Sequence, residues 1–145
     1  GPEIEQFNKI IDSKPKSKAA QMAALHSAQA QIEYGQFPAA EATLKKVVET
    51  KNSILSGLVM KQLGISQANQ NNCAAAIETW QKVLANSEAK SLHSDVKLNM
   101  GLCYEALKDF SNAEKMYTDA KTADANSATS KSAEKYLKLI QSVKK

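Results

Sequence analysis

Along most of this chain apolar residues recur every three or four positions, in blocks separated by short breaks rich in polar residues, glycine or proline. That period belongs to amphipathic helices and not to strands. The first block has Ile4, Phe7, Ile10 and Ile11 at helical spacing and stops at the segment SKPKSK. A second helix is predicted from about Ala19 to Tyr34, broken by Gly35. Phe37-Pro38 opens a third that reaches about Thr50, with the proline where its missing N–H does no harm. Further helices are predicted over about 54–68, 73–86, 91–107 and 110–122. A last one, over about 127–143, carries Ala133, Tyr136, Leu137, Ile140 and Val143 on one face. The pattern specifies an all-α protein.

The helices fall into pairs, and the pairs repeat. The windows AQAQIEYGQFPAAEATLKKVV, GISQANQNNCAAAIETWQKVL and GLCYEALKDFSNAEKMYTDAK begin 36 and then 37 residues apart. In register, Ala28, Gly64 and Gly101 coincide, as do Phe37, Cys73 and Phe110, and Ala40, Ala76 and Ala113. Leu44, Trp80 and Tyr117 follow, then Val47, Val83 and Ala120. Small residues let two antiparallel helices approach closely, and a large residue one turn further fills the space between neighbouring pairs. The lone tryptophan, Trp80, therefore reads as core and not as a ligand platform.

On these residues the chain resembles the tetratricopeptide-repeat family of stacked helix pairs. The resemblance implies an α-solenoid with three repeats over about 19–53, 54–90 and 91–126, and a C-terminal capping helix over 127–145. Residues 1–18 remain as an N-terminal helix and linker behind Gly1-Pro2, a pair of the kind left by proteolytic removal of a tag. A native leader or membrane anchor cut away with that tag is the expectation. The repeats run two or three residues longer than usual, without a closing proline. The family lines its concave groove with the first helix of each pair, which implies Met22, Leu25, Gln29 and Ile32, then Leu58, Lys61, Ile65 and Asn69, then Leu98, Leu102 and Glu105. Glu33 and Asp95 fall beside them. This face is apolar enough to suit a hydrophobic helix or extended peptide of a partner protein. The alternative is a face covered by the chain's own first helix or buried in a homo-oligomer. A carboxylate clamp of the chaperone-associated type is not expected, because Leu25, Gln29, Gln62, Asp95 and Asn99 stand near its positions.

Composition narrows the function further. With 145 residues, 43% hydrophobic and 23% charged, the chain fits one ordinary globular domain. All nineteen basic residues are lysine; without the planar fork of arginine, specific nucleic-acid recognition is not expected. The lysines are spread out, apart from groups at Lys14, Lys16 and Lys18 and at Lys131, Lys135, Lys138, Lys144 and Lys145. Cys73 and Cys103 have no metal spacing and are expected as packed structural thiols. A disulfide is the alternative and would require an oxidising compartment. His26 and His93 lack the neighbours of a triad or metal site, and no phosphate-binding or zinc motif occurs. No enzyme, cofactor, metal or small-molecule substrate is expected. The reading is a protein–protein interaction scaffold or adaptor, placed in the bacterial cell envelope by a weaker likeness to membrane-tethered members that assist secretion and periplasmic chaperones. A cytoplasmic location is the alternative.

Overall fold

The computed structural model describes residues 2–143. Lys144 and Lys145, and the side chain of Ile4, fall outside the described residues. The described chain is all-α, and its Cα atoms cluster into two compact units, residues 1–90 and 91–145. The first unit holds α1 (Pro2–Ser13), α2 (Lys18–Glu33), α3 (Phe37–Lys45), α4 (Ile54–Ala68) and α5 (Cys73–Leu84). The second holds α6 (His93–Ala106), α7 (Phe110–Ala123) and α8 (Ala128–Val143). A 3-10 segment, Ser87–Leu92, precedes α6.

The helices form three hairpins, α2–α3, α4–α5 and α6–α7, each closed by the same turn. Gly35, Asn71 and Lys108 take φ values of 72°, 60° and 61°, the left-handed conformation. Around each, two backbone bonds close the end of the first helix: Gln36 N–H reaches Gln31 O, Asn72 reaches Gln67 and Asp109 reaches Tyr104. The second runs from the left-handed residue itself to Ile32, Ala68 or Glu105. This is the Schellman closure, which satisfies carbonyls that the helix leaves without partners. Asn72 and Asp109 then cap α5 and α7 by accepting from Ala75 N and Asn112 N.

In the second and third hairpins the small and large positions aligned in the sequence meet. Trp80 is 2% exposed, and Gly64 faces its indole: a Cβ there would lie 2.1 Å from Nε1. Tyr117 is fully buried, and a Cβ on Gly101 would lie 2.4 Å from its ring. In the first hairpin the equivalent pair is Ala28 and Leu44, both fully buried. Glycine thus stands where the partner is aromatic, and alanine suffices where it is leucine. Polar cross-links lie beside these contacts. Thr43 donates to Gln31 at 3.1 Å and Thr79 to Gln67 at 2.6 Å, while in the third hairpin the Tyr117 hydroxyl donates to Glu105 at 3.2 Å. In the second unit, Ala113, Tyr117, Leu137 and Ile140 form the core, and α8 is held by Ser130 donating to Lys121 O.

Three sequence expectations need correction. The helix expected to reach Thr50 stops at Lys45: Val47 N–H bonds Leu44 O in a tighter turn, and beyond it the Glu49 carboxylate accepts from the amides of Thr50 and Lys51. The helix expected from Ser91 begins at His93, after a 3-10 turn kinked at Ala89. Cys73 and Cys103 are disulfide-bonded rather than free thiols.

Candidate interaction surface

In the first unit, α2 and α4, the first helices of their hairpins, pack side by side. Seven of the groove residues implied by the sequence lie on them, and an eighth, Asn69, is the C-cap of α4. Met22 is 59% exposed, Gln29 and Asn69 are exposed, and Leu25, Ile32, Leu58, Lys61 and Ile65 are half-buried. A line of side-chain amides crosses the two helices: Gln62 Nε2 donates to Gln29 Oε1 at 3.5 Å, and Gln29 Nε2 donates to Glu33 Oε1 at 3.0 Å. The result is apolar side chains interleaved with primary amides, a chemistry that accepts both the side chains and the backbone of a peptide. Gln62 belongs to this line, although its sequence position points only to a clamp site. Asn69 turns its amide back onto Ile65 O at 2.8 Å, which caps α4 from its own side chain.

The first helix packs on α2 and leaves Met22 of this face open. α1 packs along α2 with Ile11 1% exposed and the Phe7 ring edge-on to His26, centroids 5.1 Å apart. Met22 keeps its exposure with α1 docked.

In the second unit the three remaining residues have different circumstances. Leu102 is 38% exposed on α6. Leu98 packs against the core of Ala113, Tyr117, Leu137 and Ile140. Glu105 accepts the Tyr117 hydroxyl, and burial followed by that carboxylate pushes the phenol well above its ordinary range. Neighbouring Asp95 accepts a hydrogen bond from Thr129 of α8. Of the three, Leu102 is the one whose side chain is open.

A second concavity of the first unit escaped the sequence reading. It has a volume of about 300 Å³ and is lined by Val48, Met60, Ala85 and Asn86 among others. It lies where α3 has already ended. Next to it, Glu41 on α3 pairs with Lys45 at 3.0 Å and accepts from Gln70 and Gln67 on α4. Lys45 first, then Gln70, holds the Glu41 carboxyl below the ordinary carboxylate value. Gln67 passes this link on to Thr79 of α5. The signal for that network was present as Glu41, Gln67 and Thr79, but the pairing depends on helix register.

A model of the tetratricopeptide repeat-like domain family matches residues 3–141. An ancillary SecYEG translocon subunit of Aggregatibacter actinomycetemcomitans is 30% identical over 116 residues, covering 77% of this chain and 57% of that protein. The chain thus spans little more than half of that relative's length. The crystal structure of MamA is similar with a TM-score of 0.67 at 19% identity, over 96% of this chain and 85% of that one. A tetratricopeptide repeat protein from Parabacteroides merdae reaches a TM-score of 0.73 at 13% identity, over 96% and 52%. At those identities the two structures show a shared fold. With its family model matched over nearly the whole chain, the protein belongs to the tetratricopeptide repeat-like family.

Proposed function

We propose that this domain is a non-catalytic scaffold that captures an apolar helix or extended segment of a partner protein on the α2/α4 face, beside a bacterial protein-translocating channel. The family supports a role in protein–protein interaction, and the translocon-subunit relative supports the setting. The observation that carries the site is Met22, 59% exposed amid half-buried Leu25, Ile32, Leu58 and Ile65 with amides between them. Burying the exposed part of the Met22 side chain would recover roughly 1–2 kcal/mol in a complex. The disulfide-bonded state of Cys73 and Cys103 supports an oxidising compartment such as the periplasm. No described helix is long and apolar enough to cross a membrane.

The test is site-specific photo-crosslinking in bacterial envelopes, with the photoreactive residue at position 22 or 58 and a control at Lys115 on α7. Crosslinks to translocon subunits or to a passing chain are expected from 22 and 58 alone, and Met22→Glu should weaken capture about tenfold or more, as loss of an interface anchor does. An equal yield from position 115 sinks the site. Crosslinks joining two copies of this chain would favour the self-assembling alternative.

A further inference from the structure

The net charge of this protein is not spread over it. Residues 128–145 hold five lysines and one glutamate, so the whole formal charge of +4 lies there. The preceding 127 residues are balanced, with fourteen lysines against fourteen carboxylates. Most of that segment is α8, which buries Ser130, Ala133, Leu137 and Ile140 against its own unit. Its outer side presents Lys131, Lys135 and Lys138, all exposed. Leu139, 55% exposed, follows Lys135 by one helical turn, and Val143, 68% exposed, follows Leu139 by another. Lys138 pairs with Glu134 at 3.4 Å along the helix; among the described residues no carboxylate pairs with Lys131 or Lys135.

We propose that this outer side of α8 is a docking surface for an anionic phospholipid membrane. Two features favour lipid over an acidic polypeptide. The cations are all lysine, compact point charges suited to a diffuse field of phosphates and without the fork that selects individual carboxylates. The apolar side chains on the same side are what an interfacial helix sets at the headgroup boundary, with lysine stems reaching back to the phosphates. Attraction to an anionic leaflet is worth a factor of about five per lysine, so the three described lysines together supply on the order of a hundredfold. The contact is peripheral: it lays the helix on the surface and inserts no span. It uses none of the α2/α4 residues, so it stands or falls apart from the groove reading.

The experiment is flotation of the full chain with phosphatidylcholine vesicles made with and without phosphatidylglycerol. Binding is expected only with phosphatidylglycerol, and is expected to disappear at about 1 M salt, where the Debye length shrinks to about 3 Å. Replacing Lys131, Lys135 and Lys138 together by Gln should lower it on the order of a hundredfold, and Leu139→Ser should lower it further at unchanged helicity by circular dichroism. Replacing Lys14, Lys16 and Lys18 by Gln is the matched control and should leave it nearly unchanged. Equal loss in both triple variants would overturn the proposal, since attraction would then be charge without a site. So would absence of vesicle binding, or retention of polyglutamate through the α8 lysines with no binding to vesicles.

Discussion

At Trp80 the indole is fixed by a hydrogen bond on one edge and by a missing side chain on another. Its Nε1 donates to Lys61 O at 3.1 Å, and Gly64 leaves the space that the ring fills. Two effects oppose each other if Gly64 is replaced by alanine. Helix propensity alone favours alanine by about 1 kcal/mol. Against it, the new methyl would meet the indole at 2.1 Å, and overpacking of this kind costs about 1–3 kcal/mol. The ring is 2% exposed and tied at Nε1, so it has little room to give. Gly64→Ala is therefore expected to destabilise, with a lower midpoint in thermal or urea melts. A variant that melts higher than the parent would show that the indole moves freely.

The hairpin is the unit in which sequence and structure correspond most closely. Its length was legible because three small-to-large pairs recur at spacings of 36 and 37, and those pairs make contact in the second and third hairpins. Its turn was half legible: Gly35 announces a left-handed residue, whereas Asn71 and Lys108 do so only by alignment with it. Lysine in that conformation is strained by roughly 1–2 kcal/mol. Lys108→Gly should therefore raise stability by up to about 1 kcal/mol after glycine's own entropy cost, read as a rise in the denaturation midpoint. The same change at Lys115, inside α7, should lower it by about 1 kcal/mol. The early end of α3 was not legible. Val47 and Val48 continue the apolar period, while the backbone already turns at Val47 N–H to Leu44 O and the Glu49 carboxylate takes the amides of Thr50 and Lys51. The surroundings of the α6 positions were not legible for a related reason. Helical spacing assigns Leu98 and Glu105 to a face but is silent about which neighbour meets that face, and here Leu98 meets the unit's core and Glu105 the Tyr117 hydroxyl.

For the whole molecule, the two cysteines carry the clearest chemical statement. Both are disulfide-bonded, where spacing alone favoured packed thiols. Protein purified without reductant and then denatured should show no free thiol toward a colorimetric reagent, and two per chain after reduction. Two reactive thiols before reduction would remove the argument for an oxidising compartment. The amide-and-apolar face of α2 and α4 and the lysine-bearing side of α8 belong to separate compact units, so each can be altered without rebuilding the other.

The match of glycine to aromatic and alanine to leucine also constrains how such hairpins can diverge. To pass from a Gly64–Trp80 pair to one like Ala28–Leu44, the tryptophan has to shrink before the glycine grows. Taken in that order, the intermediate has a void, which a neighbour can partly fill. In the reverse order it has a methyl 2.1 Å from the indole nitrogen, and something must shift. The path between sister hairpins is therefore directional, and a lineage that has acquired the aromatic holds its glycine as an inherited obligation until the ring is gone.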